Sequence, residues 1–406
     1  MDAIAQQRRD SQDLFEQYAT RGAKLLFMQI PEPTDVLPDV TKTRVLHLLT
    51  YLLKMPAQWE PTCPLLLRLA PHMEKMGHRQ DWLALLEAGS QMAERQHDDQ
   101  AMVHLALHIG YLHQLGGEFQ NAYGWFKKGV NYSSAMPQKP MLGRLLNHQA
   151  YAAKLQRRFE EATHLVEKAM RILPTSDPEL AHSYFILGTI AQEKLMHDLA
   201  VQHFFSALHI RQQQGDQRRI ARCYRGLGTA YFALADYVLA IEYTEKAVVL
   251  FSRMHDISEE AVAIMNIGAI YLQMGEVNKA LLRFRDAEPI LRKTADKVHL
   301  AMLYNNIGYG FQMQQNWTAA RDAYQQSIKY CSDVNDDEGL INALDGLGVV
   351  YGGLNQPALA VQTFDEALGH LAQWRHEEKY RYYYDIIWQH KTELRITFTK
   401  SMCHNT

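Results

Sequence analysis

"RGLGTAYFALADYVLA", residues 225–240, sets a Gly-x-Gly beside an aromatic in a stretch otherwise rich in Ala and Leu. A phosphate-cradling loop would need a preceding strand and a third glycine, and neither is indicated. The second glycine instead recurs. "LGTAY" at 227–231, "IGAIY" at 267–271, "IGYGF" at 307–311 and "LGVVY" at 347–351 place Gly228, Gly268, Gly308 and Gly348 forty residues apart. Twelve residues after each stands Ala240, Ala280, Ala320 or Ala360, and nineteen after stands Ala247, Ala287, Ser327 or Ala367. Upstream, Gly188 has Ala200 and Ala207, Ala150 has Ala162 and Ala169, and Gly110 has Ala122 and Gly129, which makes seven repeats. A period of this length marks a stacked solenoid, whose units cannot bury their apolar faces alone.

Each unit reads as two helices. Apolar residues recur at helical spacing around the glycine, a break such as "QMGEVN" or "GGEFQN" follows, and a second amphipathic run completes the unit. Glycine inside a helix costs about 1 kcal/mol relative to alanine, so its return at one helical position needs a geometric reason. Close helix packing supplies one: the small residues let paired helices approach while large side chains fill the remaining gaps. The fillers keep register as well. Phe119, Phe159, Tyr237 and Trp317 stand nine residues after the small residue, and Phe126, Phe204, Phe284, Tyr324 and Phe364 sixteen after. They read as packing core.

This run of Gly, Tyr, aromatic, Ala, aromatic and Ala resembles the tetratricopeptide repeat. The forty-residue version is similar to repeats of kinesin light chains, bacterial quorum-peptide receptors and the sensor domains of some large bacterial transcription activators. The resemblance spans residues 103–380 and implies an all-α, right-handed superhelical solenoid of paired antiparallel helices with helical caps. It departs from the usual 34-residue repeat in lacking most second-helix prolines and in six extra residues, which are expected to lengthen the helices. Outside the repeats, residues 1–60 read as an amino-terminal helical cap, 61–102 as a degenerate helical pair with Met73 in the glycine slot, and 381–406 as a capping helix with a frayed tail.

The bulk numbers narrow the function. The 406 residues are 47% hydrophobic and 21% charged, enough for a large core, and 42 basic against 45 acidic side chains give a net charge of −3 with no global pull toward nucleic acid or anionic membrane. Cys63, Cys223, Cys331 and Cys403 lie far apart without a C-x-x-C, which fits a reducing compartment better than a disulfide framework. With no signal-like start and no long apolar run, the expectation is a cytoplasmic protein without a membrane partner.

In the repeats it resembles, first helices line a concave groove, and counting from the glycine fixes the slots that would face it. Two residues before the glycine stand His108, His148, Ile186, Gly226, Asn266, Asn306 and Gly346. Asparagine offers donor and acceptor, which suits a peptide backbone, and the resemblance implies this role for Asn266 and Asn306. The slots six and three residues before the glycine hold His104, Arg144, His182 and Arg222, then Asn147, Arg225 and Asn305, with Val262, Met302, Met265 and Asp345 further on. Arg218, Arg222 and Arg225 should form one stripe suited to carboxylate or phosphate. Gly226 and Gly346 are expected to leave gaps in the groove floor for a bulky ligand side chain. The predicted contact set is Arg144, Asn147, His148, Arg222, Arg225, Gly226, Asn266, Asn305 and Asn306.

No nucleophile motif, P-loop, kinase set or paired acid and base appears, and His104, His108 and His148 sit on helices about 10 Å apart, a stretch for shared metal ligands. The expectation is therefore a non-enzymatic chain without cofactor or metal, binding a peptide or protein segment as adaptor, scaffold or regulatory sensor. The alternative is a small-ligand or nucleic-acid-responsive sensor that uses the arginine stripe. The aromatic terminal helix with Tyr380, Tyr383, Tyr384 and Trp388 offers a surface for self-association.

Overall fold

Seventeen-residue helices separated by three-residue turns generate the architecture. In the computed structural model, which describes residues 2–32, 36–74, 79–134, 139–375 and 378–404, the regular structure of the described residues is entirely helical. Contacts divide the chain into two compact units, Met1–Lys194 and Leu195–Thr406.

The first unit opens with α1 (Asp2–Gln29) and α2 (Asp39–Leu52), followed by α3 (Trp59–Met73) and α4 (Arg79–Arg95). Pro33, Thr34 and Asp35 of the proline-rich connector, and residues 75–78 of the degenerate pair, lie outside the described residues. Repeats follow as α5 (Asp99–Leu115) with α6 (Phe119–Ser133) and α7 (Lys139–Leu155) with α8 (Phe159–Ile172), and α9 (Leu180–Glu193) ends the unit. Met73 is buried in the glycine slot, and sixteen residues on, where other repeats carry an aromatic, stands Gly89, whose Cβ would meet Leu66 at 2.8 Å. The size pattern is inverted in that pair.

The second unit contains α10 (His197–Gln214), then the pairs α11 (Gln217–Ala233) and α12 (Tyr237–Arg253), α13 (Ile257–Gln273) and α14 (Val277–Lys293), α15 (Lys297–Met313) and α16 (Trp317–Val334), α17 (Asp337–Gly353) and α18 (Pro357–Leu371). A last helix, α19 (Glu378–His404), packs against α17 and α18. Its Trp388 stands forty residues after Gly348 and its buried Ile387 forty after Leu347, so α19 takes the register of one more first helix.

The turns show why the period is forty. From Leu195 to Asn355 a residue with positive φ recurs every twenty positions: Leu195, Gly215, Ala235, His255, Gly275, Ala295, Gln315, Asn335 and Asn355. At several of these turns the residue after it caps the next helix: Asp216 accepts from the Arg219 amide, Asp236 from Leu239, Asp296 from His299 and Asp336 from Gly339. Each such cap is worth about 1 kcal/mol, which offsets the roughly 1–2 kcal/mol that a non-glycine residue loses in the left-handed region.

The core follows the small-residue ruler. Ala240, Ala247, Ala280, Ala287, Ala320, Ser327, Ala360 and Ala367 are all fully buried, and Ser327 donates to the Ala301 carbonyl at 2.8 Å. Phe126, Phe284, Tyr324 and Phe364 lie over Gly110, Gly268, Gly308 and Gly348, so near that a Cβ would fall 2.4–2.9 Å from the ring. Where the aromatic is missing the volumes compensate: Thr244 sits against Gly228, and Ala150 is matched by Val166 sixteen residues on, both buried. Such volume-conserving exchanges are what close-packed cores tolerate.

Candidate functional site

Four first helices, α11, α13, α15 and α17, form one face of the second unit and carry most of the predicted contacts. Along α11 the arginines do form a stripe, and each of them is already engaged by a carboxylate. Arg218 pairs with Asp256 at 2.8 Å, Arg222 with Glu259 at 2.9 Å, and Arg225 reaches the other oxygen of Glu259 at 3.0 Å. Burial alone would raise the Glu259 carboxyl. Arg225 and Arg222 outweigh it and hold that carboxyl below its ordinary range. Arg222 and Arg225, expected as ligand contacts, thus share the single carboxylate of Glu259 from the next repeat, and their side chains remain 43% and 29% exposed.

Gly226 and Gly346 do not open gaps. A Cβ on Gly226 would lie 2.8 Å from Phe204, and one on Gly346 only 2.3 Å from Cζ of Tyr324. Each glycine is filled by the aromatic of the preceding second helix, twenty-two residues upstream. Gly226 is a packing position, and the prediction of a ligand notch there is overturned.

The asparagines differ. Asn266 on α13 and Asn305 and Asn306 on α15 are half-buried on neighbouring helices that touch. Among the described residues the side chains of Asn266 and Asn306 make no hydrogen bond, and the buried Oδ1 of Asn305 accepts none. Beside them Met302 and Tyr309 are exposed, whereas Val262 and Met265 turn into the core. At the far end Asp345 is occupied: Nδ1 of His390 on α19 lies 2.9 Å from its carboxylate, and Tyr383 donates to Glu338 at 2.8 Å.

In the first unit the slots on α5, α7 and α9 gather histidines around half-buried acids. His108 pairs with Glu74, and His182 Nδ1 lies 2.9 Å from Glu179. Burial acts to raise the Glu179 carboxyl, but His182, His148 and the Asn147 amide hold it at about 2. The His148 ring meets His182 edge-on at 5.1 Å and lies 5.2 Å from Phe126. Asn147 is fully buried; its amide donates to Glu179 and accepts from Ser183 at 2.9 Å. It belongs to the core, which corrects its assignment as a ligand contact. Arg144 is exposed and makes no ion pair among the described residues. Burial, with nearby His108 and Arg144, lowers the affinity of His104 for a proton. Among the described residues no three His, Cys, Asp or Glu side chains are placed to hold a metal ion.

Sequence reasoning missed Arg211. It is 3% exposed in the slot that holds Phe251, Leu291, Cys331 and Leu371 in later repeats, and it donates to the Arg219 carbonyl and to Sγ of Cys223 at 3.3 Å. The misfit was visible as a lone cation in an otherwise apolar column. Burial pushes the thiols up, Cys63 to about 12 and Cys331 to about 11, and the side chain of Cys403 lies outside the described residues.

These helix pairs carry small residues at their crossings and an aromatic over Gly110, Gly268, Gly308 and Gly348. Residues 299–373 match the tetratricopeptide repeat family. That stretch carries tetratricopeptide repeats. Kinesin light chain-related protein 2 of Arabidopsis thaliana is 22% identical over 201 residues, 47% of this chain and 30% of the relative. The chain thus spans less than a third of the curated relatives it matches. A Rap protein solved in complex with competence and sporulation factor superposes with a TM-score of 0.55 at 15% identity, covering 94% of this chain and 99% of that one. The quorum sensor NprR of B. thuringiensis gives 0.56 at 14% identity, covering 73% and 80%. At these identities the likeness establishes the tetratricopeptide fold. Among the described residues no helix is long and apolar enough to cross a membrane.

Proposed function

We propose that this tetratricopeptide-repeat chain is a non-catalytic binding protein that takes an extended peptide or protein segment on the first-helix face of its second unit, as an adaptor, scaffold or regulatory sensor. The observation that carries this reading is the half-buried amide cluster of Asn266, Asn305 and Asn306, in which the side chains of Asn266 and Asn306 are uncommitted among the described residues, with the exposed Met302 and Tyr309 beside it. An extended backbone supplies N–H and C=O groups that asparagine amides can meet, and its side chains would rest on the methionine and tyrosine. That a Rap protein of the same fold was solved with a bound factor supports the reading. Asp256 and Glu259 already engage all three arginines of the stripe, which leaves less of it open to a phosphate than an unpaired stripe would.

The test is the double substitution Asn266→Ala and Asn306→Ala, assayed against a partner recovered by affinity capture from the native source. Two lost backbone hydrogen bonds of about 1 kcal/mol each predict a tenfold to thirtyfold weaker complex with unchanged thermal unfolding. Full affinity in the folded variant would remove the asparagine role.

A further inference from the structure

The two helices that open the chain are amphipathic twice over. On α1 the positions Ala19, Ala23 and Ile30 are buried, as Val45, Leu49 and Leu52 are on α2. On its other side α1 exposes Leu14 (51%), Tyr18 (62%), Leu25 (56%) and Met28 (81%). With Arg21 these residues run at spacings of 4, 3, 4 and 3 along the sequence. Helix α2 repeats the arrangement, exposing Val40 (61%), Arg44, His47 and Tyr51 (44%) at spacings of 4, 3 and 4. That spacing is the seam of a helix packed against another helix.

The seams lie side by side. Tyr51 meets Phe15 edge-on at 6.3 Å, and a Cβ on Gly22 would lie 3.7 Å from Leu48, so α1 and α2 run antiparallel and Arg21 comes level with Arg44 and His47. The result is a two-helix platform with apolar ends and a basic middle. Arg21, Lys24 and Arg44 are exposed and make no ion pair among the described residues, while Asp39, the acid that opens α2, is paired with Lys42.

We infer that the α1–α2 platform is a docking surface for an amphipathic helix of a separate protein, with heptad-spaced apolar residues flanked by acidic ones. The apolar spacing selects a helix, and the unpaired central cations select acidic flanks. A second copy of this chain fits worse, because face-to-face pairing sets the Arg21 and Arg44 clusters of the two copies against each other. The surface lies on helices separate from the asparagine cluster, and the inference stands without the function proposed above.

The full chain is titrated with two labelled synthetic helices of three heptads, both with Leu at the seam positions, one with Glu and the other with Lys at the flanking positions. Binding of the Glu helix at least tenfold tighter than the Lys helix, weakening with salt, is expected. Arg21→Glu with Arg44→Glu should reverse that preference. Leu25→Asp with Met28→Asp should abolish binding while leaving thermal unfolding unchanged, since both side chains are solvent-facing. Failure to bind the Glu helix, or equal binding of both, overturns the inference. So does a full chain that is dimeric at micromolar concentration and becomes monomeric in the Leu25→Asp, Met28→Asp variant.

Discussion

The ring of Tyr324 is held between two glycines of successive repeats, with a Cβ on Gly308 falling 2.9 Å and one on Gly346 2.3 Å from its carbons. Phe204 stands in the same relation to Gly226 at 2.8 Å. These glycines exist for the aromatic beneath them. Gly346→Ala and Gly226→Leu are therefore expected to destabilise by about 1–3 kcal/mol or more through overpacking. Gly124→Ala and Gly369→Ala, where a Cβ meets open space on an exposed helix face, should instead stabilise by about 0.5–1 kcal/mol. Urea unfolding of the four variants checks both signs.

Arg211 gives a second stability test. Later repeats place Leu291 and Leu371 at its position, so Arg211→Leu restores the column at the loss of hydrogen bonds to the Arg219 carbonyl and Cys223. Replacing a buried charge with a hydrophobe of fitting shape is commonly neutral or stabilising by about 1–4 kcal/mol. A raised unfolding midpoint is expected. A drop of several degrees would mean that the guanidinium fastens the α10 to α11 turn more than its burial costs.

These cases show where sequence reading works and where it stops. Gly228, Ala240 and Ala247 declared the fold because close crossings accept only small residues, and that constraint returns every forty positions. The twenty-residue half-period was harder to see, since His255, Ala295 and Gln315 take positive φ without a glycine to announce it. Site residues were least legible. Arg222, Arg225 and Asn147 occupy groove slots, but Glu259, Glu179 and Ser183 in neighbouring repeats decide whether those side chains are open or spent. A slot fixes direction, not availability.

Glu259 makes that availability adjustable. Its carboxylate is shared by Arg222 and Arg225, whose side chains remain 43% and 29% exposed. Glu259→Gln would leave both guanidiniums facing solvent without their acid. Stability should fall by no more than about 1 kcal/mol, given the exposure of the arginines, while affinity for an acidic peptide should rise and become more sensitive to salt. Parallel titrations at low and high ionic strength read this out. An unchanged salt dependence would show that the arginines do not face the bound segment.

The attachment of α19 should respond to pH through His390. Its hydrogen bond with the Asp345 carboxylate raises its proton affinity above the ordinary histidine value; burial opposes this, and the charges of Asp345 and Glu393 reinforce it. A histidine whose folded pKa lies above its unfolded value contributes stability that is complete below the unfolded pKa, near 6.5, and is lost as pH rises through the folded one. Clamping of α19 on α17 should therefore be tightest in mildly acidic solution and relax as pH rises above the ordinary histidine range. With His390 partly exposed the effect stays under about 1 kcal/mol, small for the whole unit but enough to change amide exchange in one terminal helix. Hydrogen exchange of α19 between pH 6 and 8.5, corrected for intrinsic rates, should show falling protection. His390→Gln, which can still donate to Asp345 but does not titrate, should flatten the profile. Protection that stays constant in the unsubstituted protein would show that Tyr383 bonded to Glu338 and Lys391 paired with Asp365 hold the helix without help from the histidine.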